Sequence, residues 1–502
     1  MVDSPAEPAQ AAGTEEASEE IKEQAPHPIA VAIDRLVHRA RDIKLAVRQF
    51  MPLAQEIRKI RLNEIIGILD KNAPLSDDPD PHTRVLAQKE IHAAVLRLHR
   101  WQNSQVPSVV ENGLFLSLFS AFDAFTGELL RGLFERKPVL FRSINKPIPF
   151  GEVLDASSLE VLKLQVLDDE VETLRRKSYV EQFATLAQRF DVKLTIFEHW
   201  PAFVECSQRR NLITHCDGVV TEQYLTICRE AGVASGTLPA AGSKVILGPD
   251  YFYPACELVI EVALKLGQTL WRKALPEELE SADKHLMNAL YEALESRIWP
   301  RSRIIGEYAF SLRNLVSDLN RKIITVNYAQ ALKRDGAADE AGKIMNDVDW
   351  TAAANDFKLA NAVLLERYDE AAELMRKIGR EGELLKEHGY HTWPLFIEFR
   401  ETEQFARAYQ EVFGHPYSDK LKEDASKASR DAAAEASKEP AHPSTTVGSD
   451  ESSASTDITS RPTLRLVAKD DSDSSQVDTS APENDPPPVE VGGPADETPT
   501  KH

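Results

Sequence analysis

Apolar residues recur at helical spacing over most of this chain. Across residues 28–69 the set Ile33, Leu36, Val37, Ala40, Ile43 and Val47 shares one face, with basic residues on much of the remainder. That pattern predicts an amphipathic helix or a helical pair, and it suits a packed helix better than one lying on a membrane. Residues 72–82 hold Pro74, Pro79 and Pro81 among aspartates and read as a loop before a second helix at 83–103. Residues 112–135 are apolar almost all round, with Leu114, Phe119, Phe122, Phe125, Leu129 and Leu133, which predicts a centrally buried helix. Asp123 lies inside that run and is read either as solvent-facing or as paired within a site. Further helices are expected at 157–176 and 179–192. Another should run from near Ile196 to a stop at Asp217-Gly218, because Gly just past a helix end supplies the left-handed residue that closes it. After a loop at 232–249, residues 251–271 give one more amphipathic helix, completing an up-and-down bundle counted from Asn112. Residues 274–422 are again helical.

Composition refines this all-α reading. The 502 residues carry a formal net charge of −21, unevenly spread: residues 1–26 hold seven acids and one base, and residues 424–502 hold sixteen acids and seven bases. The charge therefore describes two tails, and it does not argue against an RNA substrate for the middle, where bases occur in runs such as Arg175-Arg176-Lys177. The expected organisation is a disordered acidic tail at 1–26, an N-terminal helical arm at 27–104, a central bundle at 105–275, a helical region at 276–422 and a disordered acidic tail at 423–502. Four cysteines, Cys206, Cys216, Cys228 and Cys256, show no zinc-site spacing and read as free thiols. The acidic N-terminus has no apolar segment of a signal peptide, and no uninterrupted apolar run approaches the roughly 18 residues of a membrane span. A cytoplasmic protein that engages no membrane is expected. No cofactor motif or metal-ligand spacing is found: a phosphate loop, a dinucleotide turn, a Gly-x-Ser-x-Gly elbow and His-Glu-x-x-His are all missing.

The chemistry concentrates in residues 205–218, Glu-Cys-Ser-Gln-Arg-Arg-Asn-Leu-Ile-Thr-His-Cys-Asp-Gly. Asn211 and His215 are four apart and share a helical face, with Arg210 beside them. Asn is mildly unfavourable inside a helix, so a polar cluster there asks for a reason. A guanidinium, an amide and an imidazole together suit a phosphodiester. The structural alternative is a surface Arg and a helix-capping imidazole with no chemistry. Phe197, Trp200 and Phe203 precede the motif and are assigned to core packing before base stacking. His388 and His391 lack acids at ligand spacing and read as part of a packed loop.

Arg209-Arg210-Asn211, followed by His215 and Asp217-Gly218, resembles the signature of the HEPN superfamily, in which an Arg is followed after four to six residues by His, often with Asn directly after the Arg. The run 116–125 is similar to the first core helix of that family, and the resemblance covers about 105–275. It points to the prokaryotic toxin and abortive-infection branches. It implies metal-independent RNA cleavage in which His215 is the general acid or base, Arg210 holds the scissile phosphate and Asn211 orients His215 or binds a phosphate oxygen. Glu205 and Asp123 would fix Arg210 or Arg209 from behind. It also implies a homodimer with two motifs facing across a cleft, RNA as substrate, and an antitoxin or other regulatory protein as partner. The alternative class is a non-catalytic nucleotide- or protein-binding helical protein. Residues 350–379, with Phe357, Ala360, Leu364, Tyr368, Ala371 and Leu374, look like a tetratricopeptide hairpin, and 331–341 like a degenerate earlier copy; an ordinary helical hairpin accounts for them equally.

Overall fold

The computed structural model describes residues 26–436. The expected disordered tails lie outside these residues, apart from Pro26 and the stretch 423–436. Every regular element is helical, and the only β pairings among the described residues are two isolated bridges, Val219 with Lys244 and Glu381 with Lys386. The fold is all-α.

The first helices are α1 (Pro28–Asn72), α2 (Pro81–Gln102) and α3 (Val106–Arg136). The short α4 (Phe150–Asp155) leads to α5 (Leu159–Arg175) and α6 (Tyr179–Phe190). The motif helix is α7 (Trp200–His215), followed by α8 (Glu222–Glu230) and the long α9 (Pro249–Ala274). Then come α10 (Leu279–Glu295), α11 (Trp299–Ser311), α12 (Asp318–Arg334) and α13 (Ala338–Asn346). The chain continues through α14 (Asn355–Leu364), α15 (Tyr368–Ile378), α16 (Glu387–Thr392), α17 (Glu403–Phe413) and α18 (Tyr417–Ala436).

Residues 28–72 form one continuous helix despite Pro52, and this helix has two characters. Its first half buries Ile29, Ile33, Leu36, Ala40, Ile43, Val47 and Met51 in the same core as α3 and α9. Its second half buries only Ile65 and pairs with α2, which buries only Ala87 and Ala94. The boundary expected at 104/105 therefore does not separate two packing units. The apolar stripe that reads as an arm is central core up to Met51, and only the hairpin beyond it stands apart.

The central core collects α3, α6, α7 and α9 around aromatic contacts. Phe203 and Trp200 lie against Phe183, and Phe203 also meets Phe122 and Tyr179, so these aromatics are packing residues. The motif helix starts at Trp200, after a turn in which the Trp200 amide donates to the Phe197 carbonyl, four residues later than the pattern places it. The same core takes in α10 and α11 through Leu286, Leu290, Leu294, Ile305 and Ala309. It thus extends past the expected limit at 275.

Helix α12 joins this core to a second one. Nine consecutive residues, Ile324 to Leu332, are buried; Ile324 and Ala331 face the central core, and Val326, Tyr328, Ala329 and Leu332 face the other. The second core holds two successive hairpins, α12 with α13 and α14 with α15. His391 lies in α16, a short helix where a loop was expected, with Nε2 2.7 Å from the Tyr409 hydroxyl. Helix α18 carries helix to Ala436, beyond the expected tail boundary at 423. Low apolar content hides the helix there, but alanines and the Lys420–Glu423 pair at 2.9 Å favour it.

One window within residues 81–136 is long and apolar enough to cross a membrane by length and composition, with mean hydropathy 1.3. In this structure α3 places Phe115, Leu118, Phe119, Phe122 and Phe125 in the protein core.

Candidate functional site

Helix α7 is terminated as its sequence predicts. The Cys216 amide donates to the Leu212 carbonyl at 2.8 Å and the Gly218 amide to the same carbonyl at 3.0 Å. Asp217 and Gly218 both take positive φ, +49° and +74°, a conformation that favours Gly at the second position. The following residues pair with the 242–245 loop: Val220 donates to the Ser243 carbonyl at 2.8 Å and Val245 to the Gly218 carbonyl at 2.9 Å. His215 is the last helical residue and is exposed, with no side-chain partner among the described residues.

The two arginines of the motif have separate environments. The Arg209 Nε and Nη2 donate to Glu205 Oε1 at 2.9 and 2.7 Å, its Nη1 donates to the Ile246 carbonyl at 2.9 Å, and its guanidinium lies 3.8 Å from the Tyr251 ring centre. Two tyrosine hydroxyls complete the cluster: Tyr224 of α8 donates to Glu205 Oε1 at 2.6 Å and Tyr251 of α9 to Oε2 at 2.6 Å. One carboxylate therefore ties three helices together, and four donors from Arg209, Tyr224 and Tyr251 satisfy it where it is largely buried. Burial and the Glu205 charge push both tyrosine hydroxyls above their usual range, which keeps them protonated as donors.

Arg210 is half-buried and donates through Nη1 to the Asn211 side-chain oxygen at 3.0 Å. Across from α7, Asp123 of α3 is half-buried and accepts from the Tyr179 hydroxyl at 2.8 Å. Arg175 donates twice to the Asp123 backbone carbonyl, at 3.0 and 2.9 Å. Burial raises the Asp123 carboxyl, and the Tyr179 hydroxyl, Arg210 and Arg175 pull it back only in part. Asp123 is thus neither fully solvated nor, among the described residues, in an ion pair within 4 Å. It is held by a hydroxyl with two guanidinium groups in its surroundings.

The structure therefore assembles Arg210 and Asn211 directly, places Asp123 near them, and leaves His215 in solvent at the helix end. Glu205 fixes Arg209 and makes no contact with Arg210. Tyr179, Tyr224, Tyr251 and Arg175 are part of these clusters without any local sequence signal, since each arrives from a different helix. Among the described residues no group of three or more His, Cys, Asp or Glu side chains is arranged to hold a metal ion. No protein-family model matches the chain, and neither a curated protein nor a solved structure matches it, so the HEPN resemblance rests on residues 205–218 and the helices that frame them.

Proposed function

We propose that this chain is an endoribonuclease of HEPN type that cleaves RNA phosphodiesters without a metal ion, as a homodimer, in toxin–antitoxin, stress or phage defence. The observation that carries this reading is the division of roles along α7. Arg209 is consumed by Glu205, whereas Arg210, Asn211 and His215 keep polar atoms available at the exposed end of the helix. In the proposed reaction the ribose 2′-oxygen attacks phosphorus, its proton passes to an imidazole, and the P–O5′ bond breaks as the leaving oxygen takes a proton. Arg210 stabilises the charge on the non-bridging oxygens. Each motif holds one imidazole, so base and acid come from His215 of two copies. An antitoxin or other regulatory protein would restrain such an activity.

The test is RNA cleavage in EDTA by the wild-type protein, Arg210→Ala and His215→Ala. Loss in both variants supports the site; cleavage that persists in both removes it. In cells, growth arrest by the wild type and none by His215→Ala is the expected contrast. A non-catalytic binding protein is the second reading, favoured by the exposed side chains Phe50, Leu53, Ile57 and Ile60 in the middle of α1. Under that reading the wild type leaves RNA intact in every condition.

A further inference from the structure

We propose that the cleft between α7, α9 and α11 binds an uncharged, largely apolar small molecule that carries a ring and one hydrogen-bonding group. A cavity of about 550 Å³ opens there, a volume that matches small-molecule sites. Its walls include the carboxylates Glu205, Asp250, Glu257 and Glu261, and that list suggests a cation site.

The hydrogen bonds argue otherwise. Both Glu205 oxygens are taken by Arg209, Tyr224 and Tyr251. Glu257 accepts from Arg301 at 2.7 and 2.9 Å and from Lys44 at 2.8 Å. Glu261 is nearly fully buried, with one oxygen 2.7 Å from His199 Nδ1 and the other accepting from Lys265 at 2.6 Å. Asp250 is exposed in the first turn of α9, at the rim of the cleft. A cationic ligand at Glu205, Glu257 or Glu261 would have to displace one of these internal partners, leaving a buried charge without its counter-ion.

With Glu205, Glu257 and Glu261 paired, most of the remaining wall is apolar, including Ala202, Tyr251, Pro254, Leu258, Pro300 and Ile304. Tyr251 is held at both ends, by its hydroxyl on Glu205 and by the Arg209 guanidinium over its ring, so this wall is preorganised. Among the described residues, the polar points left open are the Tyr253 hydroxyl and one nitrogen of His199. His199 is partly exposed, its Nδ1 is engaged by Glu261, and its Nε2 has no partner among the described residues. A hydroxyl or carbonyl on the ligand would meet it. The proposal does not depend on whether the chain cleaves RNA.

The probe is Nile red, a neutral apolar dye with a fused ring, titrated into the full-length chain and followed by fluorescence. Saturable one-site binding is expected. Ala202→Trp, which turns an indole into the cleft from an exposed position on α7, should weaken it at least tenfold. Ile304→Trp on the opposite wall serves as the second variant, and circular dichroism verifies that each is folded. The double variant Leu53→Asp, Ile57→Asp on the exposed face of α1 should bind as the wild type does. Unchanged binding in the folded cleft variants overturns the site, as does absence of saturable binding or loss of the signal in the α1 variant instead.

Discussion

Arg209 and Arg210 are neighbours in sequence and occupy different electrostatic settings: the first donates twice to the largely buried Glu205, and the second makes, among the described residues, one side-chain hydrogen bond, to the Asn211 amide oxygen. Two variants should therefore behave differently. Arg209→Ala strands a buried carboxylate and should cost about 3–5 kcal/mol of stability. Arg210→Ala should change stability by no more than about 1 kcal/mol. Under the ribonuclease reading it should lower cleavage by roughly 10²–10³-fold. Urea unfolding and RNA cleavage measured on the same preparations check the contrast.

The tyrosine hydroxyls on Glu205 should be separable from their rings. Tyr224→Phe and Tyr251→Phe each remove one donor from a buried carboxylate, so each should destabilise by about 1–3 kcal/mol. Glu205→Gln in the Tyr251→Phe background should lose less than the sum of the two single losses, because the same cluster is broken once. Equal additive losses in the double-mutant cycle would mean that the groups are not coupled.

Asp123 gives a pH dependence with a definite sign. Its native carboxyl is raised above the ordinary value of 3.8, chiefly by burial, so the folded state holds this proton more tightly than the unfolded chain does. The contribution to stability is fully present below 3.8 and is lost as pH rises through the native value. Asp123→Asn keeps an acceptor for Tyr179 and does not ionise. The wild type should therefore lose stability relative to Asp123→Asn across that window, read as the difference in Tm between the two proteins from pH 3.5 to 7.

The thiols should react in two classes. Cys206, Cys228 and Cys256 are buried and Cys216 is half-buried at the end of α7. Burial pushes the Cys228 and Cys256 thiols up to about 12, and Cys206 higher still. Native protein should show one readily labelled thiol with a disulfide reagent such as DTNB, and all four after denaturation in guanidinium. Rapid labelling of two or more native thiols would contradict this packing.

Gly306 of α11 packs directly on α12: a Cβ there would stand 2.6 Å from Tyr328 Cδ2 and 3.2 Å from the Tyr328 Cα. The backbone of α12 cannot yield to it as a side chain could. Gly306→Ala should therefore destabilise by about 1–3 kcal/mol in spite of alanine's better helix propensity. Urea unfolding checks this, and a neutral or stabilising result would mean the α11–α12 contact is looser than described.

Much of the fold is legible in periodicity. The apolar stripe of α1, the all-round apolar surface of α3 and the Asp217-Gly218 stop each appear as local patterns because each is set by residues within a few turns of one another. The limits of these elements are less legible. Helix α18 runs to Ala436 through a segment poor in apolar residues, since alanine propensity and intrahelical ion pairs leave no hydrophobic period to read. Tyr368 and Ala371 mark a helical hairpin, but a hairpin alone does not say whether it belongs to a repeat.

The sequence by itself determined that the chain is helical, where its longest apolar faces lie, and that one helix ends on a cluster of Arg, Asn and His. Tertiary structure alone decided which arginine is consumed and which is left open. Glu205 and Arg209 are four residues apart and can pair on any isolated helix, but Tyr224, Tyr251 and the Ile246 carbonyl make that pair a buried lock. Those partners come from 15 or more positions away in the chain, and burial multiplies the strength of charge interactions that water would otherwise screen. Local spacing can bring residues to one helix face. Only the packing of other helices against that face sets which of them keep their polar atoms free.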